Sequence, residues 1–290
     1  MITQHVENKL ACLELLPDLR ADLLTILRQS ENCQQDRFLH QLPLAIFHAL
    51  GGENERIIEP FVAAWACLHS VLLRLDHLQD NDLEEDPLPT DPNLPASYNL
   101  LLAAYVLANS ALDDLDASNN PPGRLLRLHR LWNECILTCA SGQHLDLLHS
   151  DTSKSDRHVL DQYQQVAHAK SGALFALAFA GVALLMTDDN TIVTACHFVG
   201  NVYGTLLQLT DDLLDVENHS SLLTLDQTYG RFTRATASGQ LTDSRLVEEY
   251  LQYVRAAYLD EVERVLVQID HPELCSCLRG LFNSTPSDAL

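Results

Sequence analysis

Residues 172–186 read GALFALAFAGVALLM, fifteen positions without one charged or strongly hydrogen-bonding side chain. A stretch that is apolar on every side is stable as a helix only where water is excluded all round it. It is shorter than the roughly 20 residues that span a bilayer, so the expectation is a buried helix at the centre of a bundle, without stable membrane insertion. The rest of the chain agrees. Breaks are sparse, falling at GGEN (51–54), DPLPTDPNLP (86–95), NNPPG (119–123) and MTDDN (186–190). Between them, as in ERIIEPFVAAWACLHSVLLRLDHLQD, apolar residues recur at three- and four-residue spacing. Strand-like alternation is hard to find, and no flexible linker or internal repeat interrupts the pattern. The fold class expected is all-α, one helical domain over residues 1–290.

The net charge of −22 argues against nucleic acid or an anionic membrane surface as partner. It leaves room for a phosphorylated small molecule if a metal ion supplies positive charge locally. Eight cysteines are scattered without zinc-ribbon spacing, and no signal-like segment precedes them. The expectation is a cytoplasmic protein with reduced core thiols.

Two acidic clusters carry the chemistry. In LTDDLLDVEN (209–218), Asp211, Asp212 and Asp215 sit three and four residues apart, on one side of a helix. Like charges at that spacing cost about 0.2–0.5 kcal/mol per pair. A solvated acidic face is the simple reading, but the flanks are apolar. Hard divalent cations such as Mg²⁺ take oxygen ligands and are often held by a few carboxylates plus a substrate phosphate. The second cluster, RLDHLQDND (74–82), closes a long apolar helix with Asp76 and Asp80 again four apart. Two helices offering carboxylates to a common space could hold Mg²⁺ ions around one diphosphate.

At this point the sequence resembles the trans-isoprenyl diphosphate synthase family, over residues 45 to 230. HSVLLRLDHLQDNDLEEDPLPT resembles the family's first aspartate-rich region, with His69 seven residues before Asp76 and Pro89-Thr90 at the expected distance after it. GQHLDL (142–147), KSGALF (170–175) and GNVYGTLLQLTDDLLD (200–215) resemble three further family segments, in order. The resemblance implies a helical bundle around a deep apolar cavity and Mg²⁺-assisted loss of diphosphate from an allylic substrate. It implies Asp211, Asp212 and Asp215 as metal ligands, with Asp76 and Asp80, and places Gln143, Asp146, Lys170 and Gln208 at matching positions. Lys170 would meet the leaving diphosphate as a point charge. Asp76, Asp80, Asp211 and Lys170 are the catalytic candidates. Arg56, His69, Gln143, Lys170 and Gln208 are the substrate-binding candidates, with Val71 and Leu72 as the residues whose modest size suits a C15 or C20 chain.

The chain departs from the family pattern in cations. His77 stands where a second aspartate is usual, and imidazole is a poor Mg²⁺ ligand. Glu85 and Asp86 stand where two arginines are usual. GGENERI (51–57) replaces a basic GGKRxRP-like segment, leaving Arg56 alone. Lys9, Lys154 and Lys170 are the only lysines. These losses fall on the site for isopentenyl diphosphate and leave the metal-held allylic site. They point to terpene-synthase-like ionisation with cyclisation or water capture. The alternatives are a chain-elongating prenyltransferase and a noncatalytic subunit of a heteromeric synthase. A homodimer is expected, with a heterodimer with a catalytic homologue as the alternative. CILTC (135–139) reads either as ordinary core thiols or as a feature of such noncatalytic subunits. Arg74 reads either as a substitute diphosphate contact or as an ion-pair partner.

Overall fold

The computed structural model of the chain describes residues 2–32, 34–80, 88–115, 120–148, 163–218 and 244–283. Every regular element among them is helical, as the spacing of apolar positions requires. In chain order the helices are α1 (Ile2–Ala11), α2 (Pro17–Asn32), α3 (Gln34–Ala49), α4 (Glu59–Asp80) and α5 (Leu94–Ala111). They continue with α6 (Pro122–Leu148), α7 (Ala173–Met186), α8 (Asn190–Asn218), α9 (Ser244–Leu266) and α10 (Pro272–Leu281). A 3-10 turn at Glu55–Ile57 precedes α4, another at Leu112–Asp114 follows α5, and a π turn at His168–Gly172 leads into α7. The chain gathers into two compact units. One comprises residues 1–128, 181–186 and 283–290, and the other residues 129–180 and 187–282.

In the first unit α4 is the hub, packed against α5 and against α1, α2 and α3. Its middle, Phe61 to Leu68, is buried throughout. Small residues there (Ala63, Ala64 and Ala66) let neighbouring backbones approach, while Phe61, Trp65 and Leu68 fill the space between. α5 begins where the Asn93 side chain accepts from the Ala96 amide at 3.3 Å, with a proline just inside the helix. Both are ordinary helix-start devices.

In the second unit the π turn lies against α8, and α8 packs on α9. Tyr203 on α8 meets the rings of Phe175, Phe179 and Phe282 at centroid distances of 5.4, 5.9 and 5.9 Å. α10 is capped by the His271 ring and tied to α9 by a forked bond from Arg279 to Glu263.

The apolar run behaves as expected, since Ala173 through Leu185 are buried. The helical stretch that contains it is longer than the run itself, however. Tyr163–Met186, like Glu59–Gln79 and Asn190–Thr210, is long and apolar enough to cross a membrane by length and composition. Between 61% and 78% of each such segment is buried inside the protein, so protein covers most of their apolar surface.

Candidate active site

The second unit brings together most of the residues that matched family segments there. Lys170 and Ser171 lie on the π turn, Gln143 and Asp146 near the end of α6, and Gln208 on α8. Lys170 Nζ stands 3.3 Å from Asp146 Oδ2, with side chains 14% and 6% exposed. Ser171 Oγ donates to Gln208 Oε1 at 2.6 Å. Gln143 is half-buried beside them in sequence, on the same α6 end.

What sets this geometry is the π turn. The Ala173 amide reaches back five residues to the His168 carbonyl, which widens one turn of the helix. Neighbouring glycines let the widened turn sit down. A Cβ on Gly142 would be 2.7 Å from Ala169 Cβ and 3.2 Å from the Lys170 amide nitrogen. A Cβ on Gly204 would run into the Ser171 carbonyl. The α6 thiols complete the seat. Cys135 donates to the Ala173 carbonyl at 3.3 Å and Cys139 to the Lys170 carbonyl at 3.4 Å, with the two sulfurs 3.9 Å apart. The bond to Cys139 and burial together hold the Cys135 thiol well above its ordinary pKa. CILTC is therefore a pair of core thiols here. Partial desolvation pulls the His168 imidazole below its usual pKa, and the Asn201 side chain opposes that shift.

One turn beyond Gln208, α8 carries Asp211, Asp212 and Asp215, three, four and seven residues on, at positions that share its side of the helix. Their side chains lie outside the described residues, as does that of Asp80 and as do Glu85 and Asp86 altogether. Among the described residues no group of three or more His, Cys, Asp or Glu side chains could hold a metal ion. The donor set the sequence supplies, carboxylate oxygens on regular helix positions, fits a hard divalent cation such as Mg²⁺.

In the first unit α4 carries the other candidates. His69, 9% exposed, stacks on Trp65 at 5.7 Å and meets His40 edge-on at 5.9 Å. Asp76 is half-buried, seven residues on and on the same side of the helix. Val71 is buried and Leu72 half-buried. Arg74 turns elsewhere. Its guanidinium, 3% exposed, donates to the Ser70 hydroxyl, to the Ser70 carbonyl at 3.4 Å and to Gln29 of α2 at 3.5 Å. Arg74 thus joins α4 to α2 on a different side from Asp76.

The loop before α4 holds a feature the sequence reasoning missed. Gly51 takes the left-handed φ of +84° that favours glycine. His48 then bridges the turn, with Nδ1 on the Gly52 carbonyl at 2.9 Å and Nε2 on Glu55 Oε1 at 2.9 Å. The bond to the Gly52 carbonyl, then the bond to Glu55, raises the His48 pKa. Asn54 accepts from the Arg56 amide at 3.3 Å, and Arg56 is exposed. Where the resemblance predicts cations there is a histidine–glutamate clamp. The seven-residue spacing of His48 and Glu55 across a Gly-Gly pair was the available signal. Pro89-Thr90, in turn, fixes the start of α5, since the Thr90 and Ser97 hydroxyls bond at 2.8 Å and Asp91 accepts from the Leu88 amide at 2.6 Å.

The family model described as Polyprenyl synthetase matches residues 36–233, well over half of the chain. The chain belongs to the polyprenyl synthetase family. A relative within it is a geranylgeranyl pyrophosphate synthase of Metarhizium anisopliae, 28% identical over 158 residues, covering 53% of this chain and 43% of that protein. A geranylgeranyl diphosphate synthase of Methanosarcina mazei is 25% identical over 165 residues, covering 57% of this chain and 50% of that protein. The chain spans about half the length of these curated relatives. The solved geranylgeranyl pyrophosphate synthetase of the archaeon Geoglobus acetivorans aligns with a TM-score of 0.72 at 20% identity, covering 97% of this chain and 94% of that one. That likeness shows the polyprenyl synthetase fold, which is the all-α isoprenoid synthase architecture expected from the sequence.

Proposed function

We propose that this polyprenyl synthetase family member is a Mg²⁺-dependent prenyltransferase that binds an allylic prenyl diphosphate, C15 or C20, and elongates it. The observation that carries the proposal is the meeting of Lys170, Asp146, Ser171 and Gln208 one helical turn before Asp211, Asp212 and Asp215. Relatives named as geranylgeranyl and farnesyl diphosphate synthases support elongation over the cyclisation that the missing cations suggest. Bound Mg²⁺, held by Asp211, Asp212 and Asp215, would act as Lewis acid on the leaving diphosphate. Lys170 offers a largely buried positive charge to the diphosphate oxygens, and Asp146 keeps that ammonium aimed. The Ser171 hydroxyl and Gln208 amide offer hydrogen bonds beside it.

The rebuilt loop favours a second reading. With Glu55 bonded to His48, Glu53 exposed and Arg56 alone, residues 51–56 offer a second diphosphate little positive charge. Capture of the cation by the substrate's own double bonds or by water is then the terpene-synthase-like outcome. Purified protein incubated with Mg²⁺ and C10, C15 or C20 allylic diphosphates, with and without isopentenyl diphosphate, separates the readings. Longer prenyl diphosphates formed only with isopentenyl diphosphate support elongation. Hydrocarbons or alcohols formed without it support the second reading, and no pyrophosphate release under any condition overturns both in favour of a noncatalytic subunit.

A homodimer is proposed with it. α5 exposes Leu94, Tyr98, Leu102 and Val106 and carries no charged residue from 94 to 111. In a chain of net charge −22, that is a face a second copy can approach without repulsion.

A further inference from the structure

We infer that Asn201 is a positioning residue, holding the π turn in the register that sets Lys170 against Asp146 and Ser171 against Gln208. The inference rests on the proposed role of those side chains in diphosphate binding. Asn201 lies on α8, 7% exposed, seven residues before Gln208. Its Nδ2 donates to the His168 carbonyl at 3.3 Å. That carbonyl is also the one to which the Ala173 amide returns, and this return makes the turn π rather than α. At the other end of the turn, a Cβ on Gly172 would lie 2.7 Å from Thr205 Oγ1 and 2.9 Å from Asn201 Nδ2. Thr205 is itself tied to Asn201, donating to its backbone carbonyl at 2.8 Å.

The first and last residues of the turn are therefore both seated on Asn201, and Lys170 and Ser171 lie between them. The Asn201 side chain also meets the His168 ring, where it opposes the lowering of the imidazole pKa by burial. Leucine of similar volume keeps the packing but removes the N–H that holds the His168 carbonyl. If the turn relaxed to α geometry, the residues on one side of it would rotate by about 100° relative to those on the other. Neither pair would survive such a rotation.

The three lysines make a direct test available. Brief acetylation with acetic anhydride, read by mass spectrometry, compares Lys170 with Lys9, whose side chain is similarly shielded at 16% exposure. In Asn201→Leu, Lys170 acetylation relative to Lys9 should rise about fivefold or more, as local opening becomes easier. An unchanged ratio would overturn the inference. In the same variant, affinity for pyrophosphate with Mg²⁺ should fall about tenfold in calorimetry, and should fall no further when the change is made in a Lys170→Ala background. Additive losses would mean that Asn201 does not act through Lys170.

Because acetylation needs no ligand, wild-type protein that fails to bind pyrophosphate would sink the proposed function, while the labelling still judges Asn201. If Asn201→Leu does not fold, Asn201→Ala is labelled in the same way. If neither folds, hydrogen exchange in the wild type decides. Amides 169–173 should exchange as slowly as those of α7, and fast exchange there would show a turn that nothing holds.

Discussion

Ala176 on α7 is the place to test whether the buried helix is what the fold depends on. It is 1% exposed, and a Cβ on Gly200 of α8 would lie 3.0 Å from its Cα. Backbone meets backbone there, so a carboxyl introduced by Ala176→Asp has no route to water and no cation to pair with. It folds only as the neutral acid. Keeping a carboxyl of ordinary pKa about 3.9 protonated at pH 7 costs about 1.36 kcal/mol per pH unit, or about 4 kcal/mol in all. Set against a total stability of roughly 5–15 kcal/mol, that loss is severe before any packing is disturbed.

The sign of the pH dependence is fixed by the same argument. The folded-state pKa is raised, so the penalty grows as pH rises above the unfolded value and fades as pH falls toward it. It should be about 4 kcal/mol at pH 7 and about 1.5 kcal/mol at pH 5. Urea unfolding of wild type, Ala176→Asp and Ala176→Asn at both pH values measures it, the asparagine supplying the pH-independent cost of size and polarity. A penalty in Ala176→Asp below about 1 kcal/mol at pH 7, or one that does not change with pH, would mean the position reaches solvent.

Asp211→Asn should leave metal-free stability level or raise it by about 0.2–0.5 kcal/mol, while Mg²⁺-dependent pyrophosphate binding in calorimetry falls sharply. Equal binding by both proteins would remove Asp211 from any metal site. Because the His48 pKa is raised by Gly52 and Glu55, its contribution is fully present below the ordinary value of 6.5 and lost as pH rises through the folded value. The melting difference between wild type and His48→Gln should therefore be largest near pH 5.5, worth under about 1 kcal/mol at this half-exposed site, and gone at high pH. A constant difference across that range would exclude the clamp. Burial pushes the Cys67 and Cys196 thiols up to about 12. Iodoacetamide at pH 8 or 9 should modify exposed Cys12 and spare those two until denaturant is added, and peptide mapping would show any early labelling that contradicts their burial. In the proposed homodimer, Leu102→Glu on the exposed side of α5 should lower the sedimenting mass from two chains to one without lowering the melting point, and an unchanged mass or a wild type that sediments as one chain would refute that interface.

The legible part of the sequence was the part decided locally. The run from 172 to 186 could only be a core helix, and the three-and-four spacing elsewhere could only be satisfied by more helices. Gln143, Asp146, Lys170 and Gln208 were readable as types at positions. Their geometry was not, because the π turn has no local cause. It depends on Gly142 from α6, on Asn201 and Gly204 from α8, and on two thiols whose partners are carbonyls. Arg74 shows the limit of sequence proximity. Two residues from Asp76 is close in sequence but about 160° around a helix, and the side chain follows the helix. Residues 51–56 read as a cation site stripped of its cations. Only the placed side chains show that His48 and Glu55 put a closed clamp there.

Under the proposed function, how so acidic a chain would receive a diphosphate depends on how its few cations are held. The Lys170–Asp146 pair is largely shielded from solvent, so breaking it would cost about 3–5 kcal/mol. An anion that displaced Asp146 would have to supply that energy. Residues 51–56 have no comparable arrangement. Their carboxylates outnumber Arg56, and the protonated partner of Glu55 is already bound at both ring nitrogens. Under the proposed function, a diphosphate therefore finds its shielded cation at Lys170 on the π turn and not at residues 51–56.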